Sequence, residues 1–304
     1  MHAMRTRDVT ELLLLSVLWG AAYLFMRAAV PAFGPAPLIA LRMAIAVAVL
    51  LPLLVWRGGL AQLAQHPVAL LVLAVLFTAL PFLLLGFAAQ HLTAGLLSVL
   101  NATAPLFAAL LAHFAFHERL GPWRSAGLVI GFGGVVLLTA ESVSFKSTDG
   151  LLAVGAVLVT SALWSLGANF TRRRLGGMDN LALTVGSLGV ASLALTPMAA
   201  LTWPAAAPPL RAWIEVFFLG VASSGLGFLL YYRLLRRIGT VRAMSVTFLN
   251  PVVALIAGAL YLGEVITWQT LAGAAVVLLG TALSLGLWPN RGEAARVGTN
   301  EPAA

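Results

Sequence analysis

Between Leu12 and Trp288 the chain is a succession of ten predominantly apolar stretches, separated by breaks too short to form domains of their own. A helix rises 1.5 Å per residue, so about twenty such residues cross the roughly 30 Å hydrocarbon core of a bilayer. The stretches are 12–30, 38–56, 68–89, 93–116, 123–139, 151–170, 181–202, 214–235, 241–262 and 271–288. Turn-forming residues mark several breaks: Gly34-Pro35-Ala36-Pro37, Gly121-Pro122, Gly176-Gly177 and Pro208-Pro209. With 61% hydrophobic and 9% charged residues, the chain carries more apolar surface than a soluble interior of this length can hide. The sequence therefore predicts an all-α membrane protein. Arg5 and Arg7 followed by an apolar run also match a secretory signal peptide. That run leads straight into further spans, so a retained first helix is expected.

The basic residues set an expected orientation. The formal charge of +8 has two readings, affinity for nucleic acid or other polyanions, and cytoplasmic loops that hold lysine and arginine to fix topology. Placement favours the second. With the N-terminus cytoplasmic, Arg5, Arg7, Arg57, Arg119, Arg124, Arg172, Arg173, Arg174, Arg233, Arg236, Arg237, Arg242, Arg291 and Arg296 fall inside. Only Lys146 and Arg211 fall outside, and Arg27 and Arg42 stay within spans. Both termini are expected in the cytoplasm, at a bacterial inner membrane, with no nucleic-acid partner. The tail, 289–304, is polar and rich in small residues, and reads as disordered.

An internal repeat is also legible. A shift of 146 residues lays Pro105 on Pro251, Glu118 on Glu264, Gly127 on Gly273 and Gly134 on Gly280. It pairs Leu80-Pro81-Phe82-Leu83-Leu84 with Leu226-Gly227-Phe228-Leu229-Leu230, and a shift of 145 pairs Trp19 with Trp164. Matched alanines and leucines mean little in such a chain; matched proline, glutamate and tryptophan carry the argument. Each copy holds five spans, an odd number, so the second enters the membrane from the opposite face. The expectation is ten transmembrane helices as two inverted five-helix repeats, 12–140 and 151–288, between a short N-terminus, 1–11, and the tail. Inverted repeats recur in secondary transporters, with the binding site near the midplane at the repeat interface.

Trp19-Gly20 in the first span, Arg236-Arg237-Ile238-Gly239 between the eighth and ninth, and Tyr261-Leu262-Gly263-Glu264 at the end of the ninth complete the pattern. In this order and spacing the chain resembles the EamA branch of the drug/metabolite transporter superfamily, over nearly its whole length. The resemblance implies export of amino acids, metabolites or drugs. It also implies a cavity lined mainly by helices one, three, four, six, eight and nine, with five and ten peripheral.

Polar groups at membrane depth each need an explanation. For Arg27 and Arg42 two readings stand: docking of a substrate carboxylate or phosphate on the guanidinium fork, or snorkelling and pairing with an outer-end acid such as Glu141 or Glu264. Glu118 and Glu264 at matched helix ends read as caps or salt bridges rather than proton carriers. No Asp or Glu lies in the middle of a span, and this counts against proton antiport through a central carboxylate. Asn101 before Pro105, and Asn250 beside Pro251, place an amide near a helix interruption in each repeat, as Pro81 does without one. Both asparagines are candidate cavity residues, the alternative being that each satisfies its own kink.

Trp19, Tyr23, Trp164 and Asn169 form an aromatic and polar set suited to an amphipathic solute, the alternative being ordinary packing. Thr78 and Ser224, near Ser223 and Gly225, serve either close helix packing or substrate hydrogen bonding. His113 and His117 have metal-ligand spacing, but no third ligand clusters with them, so no metal or cofactor is expected. With no cysteine in the chain, thiolate chemistry is excluded. A membrane enzyme would need convergent acids, bases or a nucleophile at one depth, which these residues do not provide. The expected partners are a small-molecule solute and the lipid bilayer. An uncoupled facilitator and a coupled exporter both remain open, as do monomer and homodimer.

Overall fold

The structure, a computed structural model, describes residues 5–116, 121–140, 148–238, 243 and 246–285. Glu118, His117, Glu141, Lys146 and the tail fall outside the described residues. The described residues hold helices and no strand. They are α1 (Thr6–Phe33), α2 (Pro35–Trp56), α3 (Pro67–His91), α4, in two pieces (Ala94–Asn101 and Ala104–Phe116), α5 (Pro122–Ala140), α6 (Thr148–Arg174), α7 (Asn180–Leu201), α8 (Leu210–Ile238), α9 (Val246–Leu262) and α10 (Trp268–Ser284). A short helix, Leu60–Gln65, joins α2 to α3. Among the described residues eight helices, α1 to α8, are long and apolar enough to cross a membrane; α9 and α10 are apolar but 17 residues each. Side chains such as Leu13, Val17, Val129 and Leu193 stand exposed around the outside, where the solvent is hydrocarbon rather than water.

Local chemistry sets the ends. Gly34 has φ +76° between Phe33 and Pro35. It reverses the chain in one residue, a conformation that an L side chain resists. Thr93, Asp179 and Thr267 cap α4, α7 and α10 through side-chain oxygens that accept from the first free N–H groups.

Packing exchanges partners across the two halves. α5 lies along α10, and α2 along α7. α1 packs on α9 as α6 packs on α4, and α3 on α6 as α8 on α1. In the α5–α10 pair Gly127 meets Ser284, Gly131 meets Gly280, Gly134 meets Val277 and Leu138 meets Gly273. Rising numbers on one helix face falling numbers on the other, so the two run antiparallel. The glycine face of α5 is thus spent on α10 within the chain. Two segments depart from α-helical winding into π turns: Val75–Ala79 in α3 and Leu219–Leu226 in α8. The shift of 146 lays one inside the other.

The close approach at Gly280 gives a test. A Cβ there would strike the backbone of Gly131, whereas Gly133 faces open space. Gly280→Val should lower the thermal stability of the purified protein by about 1–3 kcal/mol, the usual cost of overpacking. Gly133→Val should leave the melting temperature unchanged within a degree or so.

Candidate functional site

The two π segments face a cavity in the middle of the bundle, which encloses about 130 Å³. π turns recur at functional sites because they free backbone groups and re-aim side chains. α1, α2, α3, α4, α6, α8 and α9 line the cavity, while α5 and α10 do not. Helix two enters through Arg42. α2 can approach because α8 presents Gly220, whose Cβ would lie 2.9 Å from the Arg42 carbonyl oxygen.

Four rings form its apolar wall. Trp19 packs edge-on to Phe228 (5.9 Å between centroids, 63°), and Trp164 packs edge-on to Phe82 (5.4 Å, 66°). Phe82 and Phe228 then meet at 6.2 Å. The shifts of 145 and 146 pair Trp19 with Trp164 and Phe82 with Phe228, so the wall has one half from each repeat copy. Edge-to-face pairs of this kind contribute about 0.5–1.5 kcal/mol beyond their buried area. Trp19 Nε1 donates to the Ser223 carbonyl at 3.2 Å, which fixes the indole.

Polar groups interrupt this wall. Asn101 Nδ2 donates to the Tyr23 hydroxyl at 2.6 Å, and Ser161 donates to Asn101 Oδ1 at 3.3 Å. Thr78 lines the cavity and donates to the Leu73 carbonyl within its own π turn, at 3.2 Å. Arg42 is buried to 1% exposure. Its Nε donates to Ser224 Oγ at 3.0 Å and its Nη2 to Ser223 Oγ at 3.2 Å, and the guanidinium carbon stands 4.4 Å from the centre of the Phe82 ring.

The expected site residues divide. Trp19, Tyr23, Arg42, Thr78, Asn101, Trp164 and Asn250 line the cavity. Ser224 sits behind Arg42, fully buried, and supports it. Arg27 and Asn169 do not line it. Arg27 Nη1 donates to the carbonyls of Ala89 and Gln90, at 2.7 and 2.9 Å, and so closes the C-terminal turn of α3. Asn169 donates to the Ser165 carbonyl one turn back. Neither arginine pairs with Glu264. Both Glu264 oxygens accept from the Ala94 N–H, at 2.9 and 3.1 Å, which makes Glu264 a cap on α4 of the other half rather than on the helix that follows it. Gly263, at φ +66°, turns the chain so that this carboxylate can reach.

The prolines also differ from expectation. At Pro105 α4 is broken, at residues 102–103, while α9 runs through Pro251 without a break. Pro81 follows the π segment of α3 directly. Among the described residues no group of three or more His, Asp or Glu is placed to hold a metal.

Sequence reasoning missed Phe82, Phe228, Ser223, Tyr231 and Tyr232, all in the lining. The repeat alignment carried the signal for the two phenylalanines, but nothing local separates them from packing residues. It also missed two buried acidic contacts. At the N-terminal end of α1 Asp8 and Glu11 meet Arg237 of α8; Asp8 Oδ1 lies 2.9 Å from Arg237 Nε, out of line for a hydrogen bond, and Glu11 pairs with its Nη2. At the other end of α8, Glu215 accepts from Arg211 at 3.0 Å and from the Tyr261 hydroxyl at 3.3 Å.

The comparisons agree with this architecture. The model of the EamA-like transporter family matches twice, over residues 9–140 and 151–286, and the chain belongs to that family. It is a multi-pass membrane protein of a transporter family. An uncharacterized transporter of Archaeoglobus fulgidus is 26% identical over 86% of this chain and 92% of its own length. The uncharacterized inner membrane transporter YedA of Escherichia coli is 26% identical over 83% of this chain and 82% of its own. A relative from Streptantibioticus cattleyicolor, named a probable terminal-alkyne amino-acid exporter, is 27% identical over 91% of this chain and 93% of its own. A crystal structure of a 20%-identical protein shares the fold, with a TM-score of 0.69 over 97% of this chain and all of the other.

The position of Arg27 is testable. Arg27→Ala removes donors to two helix-terminal carbonyls and should cost about 1–2 kcal/mol of stability, read as a lower melting temperature in detergent. Transport by folded Arg27→Ala protein should stay within about twofold of wild type, whereas a docking role would abolish it.

Proposed function

We infer that this protein is a secondary transporter that exports small organic solutes across a bacterial inner membrane by alternating access. The observation that carries this reading is the cavity, walled by symmetry-equivalent aromatic pairs from the two halves. A site at such an interface can be exposed to either side by rocking one half against the other. The ten spans are read as two inverted five-helix repeats with both termini in the cytoplasm. Support comes from the double family match, the antiparallel α5–α10 pair of equivalent helices, the matched π segments and the arginine bias. The name of the Streptantibioticus relative supports amino acids among the candidate solutes, and family membership and the relatives' names support a transporter rather than an enzyme. Among the described residues the lining carries no carboxylate, and this favours a second reading, in which the solute moves down its own gradient without proton coupling.

Two experiments test these points. Cells overexpressing the protein should survive toxic amino acids or metabolite analogues that arrest control cells. In proteoliposomes loaded with the solute so identified, collapse of the proton gradient should slow efflux several-fold for an antiporter and leave a facilitator unaffected; absence of any protein-dependent efflux sinks the transport reading. The topology is checked by cysteine labelling, which needs no background removal because the chain has no cysteine. Ala64→Cys should react only from the cytoplasm and Ala206→Cys, in the equivalent linker of the second half, only from outside. Labelling of both from one face contradicts the inversion.

A further inference from the structure

Two atoms in the cavity are left unmatched by the protein. Arg42 Nη1 and Asn250 Oδ1 are both buried without a hydrogen-bond partner, on residues that line the same space. One is a cationic donor and the other a neutral acceptor. We propose that they form a two-point site for a small carboxylic acid that bears a hydrogen-bond donor beside its carboxylate and an apolar or aromatic body. The proposal deepens the transport reading and rests on it for its physiological meaning.

The charge argument comes first. The partners of Arg42 are two serine hydroxyls and the face of Phe82, all neutral. Among the described residues no carboxylate pairs with it. A buried cation without an anion is costly, and intramembrane charges pair with each other or with what passes through the site. Water can satisfy an unfilled amide oxygen, but it does not neutralise a guanidinium. An anionic ligand does. The serines hold Nε and Nη2, and the ring beneath fixes the plane, so Nη1 is the edge left to bind. Charge-assisted bonds from a guanidinium to a carboxylate are among the stronger hydrogen bonds available.

The valence follows from the lining, which among the described residues holds one basic residue, Arg42. A phosphate dianion would bring a second negative charge with nothing to meet it, so a monoanion fits better. Asn250 Oδ1 asks for a donor, since an unmatched buried acceptor is itself unfavourable; a hydroxyl group on the ligand supplies one without adding a second positive charge. Phe82, Phe228, Trp19 and Trp164 offer edges and faces for an apolar remainder.

The test uses the purified full-length protein and three probes of nearly equal shape: L-3-phenyllactate, 3-phenylpropanoate and phenethylamine. Binding is read by intrinsic tryptophan fluorescence and by thermal shift. L-3-Phenyllactate should bind best, 3-phenylpropanoate several-fold more weakly, and phenethylamine at least tenfold more weakly than L-3-phenyllactate. Arg42→Gln should weaken both carboxylates tenfold or more, and Arg42→Lys should recover part of the loss. The ligand series on wild-type protein stands even where a variant fails to fold. Failure of both carboxylates to bind, binding of phenethylamine as tight as that of L-3-phenyllactate, or unchanged affinity in folded Arg42→Gln overturns the proposal. Equal binding of 3-phenylpropanoate and L-3-phenyllactate overturns the part assigned to Asn250. Binding in the stated order without flux in proteoliposomes would leave the site standing and remove the transport reading. Flux of cations alone would do the reverse.

Discussion

Hydrocarbon offers a peptide group nothing to bond to, and this constraint orders most of the polar contacts in the bundle. At several departures from regular winding, a side chain from another helix meets a backbone carbonyl. At the break in α4, Ser165 donates to Ala104 at 2.6 Å and Thr281 to Ala102 at 3.3 Å. Beside the π segment of α3, Thr160 donates to the Pro81 carbonyl at 3.1 Å. Arg27 does the same for the end of α3, and Glu264, from the acceptor side, for the start of α4. Each contact joins two helices, so satisfying the backbone also fixes how the helices cross. Residues that look like scattered polar exceptions in the sequence are largely this internal supply of partners.

The cavity departs from that economy. Its frame is nearly two-fold, with Trp19 and Phe228 answering Trp164 and Phe82, and a π segment on either side. Its polar content is not. The residue equivalent to Arg42 under the shift of 146 is Leu188, and the one equivalent to Asn250 is Ala104. The repeat supplies a nearly two-fold frame, and the polar residues set within it break that symmetry. That separation of frame from recognition is why fold and family say so little about the solute.

Much of the architecture could be read without coordinates. Apolar length gave the spans, and rare residues at a fixed shift gave the repeat. The repeat shift marked Trp19 and Trp164, the matched prolines marked Asn101 and Asn250, and Tyr23 came in with the aromatic set; the structure places all five in the lining. Arg27 and Asn169 were misjudged as cavity residues because a span's sequence does not say which way a side chain turns. Arg27 lies one turn along α1 from Tyr23, which lines the cavity, and reaches instead the carbonyls at the end of α3. The pairing of Asp8 and Glu11 with Arg237 was invisible because it joins residues more than two hundred apart, with no local pattern.

The sequence by itself determined that this chain lies in a membrane as a helical bundle with an internal repeat, because hydrophobic length and periodic recurrence are local, additive properties. Only the tertiary structure decided which polar groups are spent on the protein and which remain for a ligand. Of the two arginines carried within the spans, Arg27 is consumed by backbone carbonyls. Arg42 keeps one edge free, held by serines on a π turn of another helix. Whether a buried donor is satisfied depends on neighbours that arrive from distant parts of the chain, and packing alone brings them there.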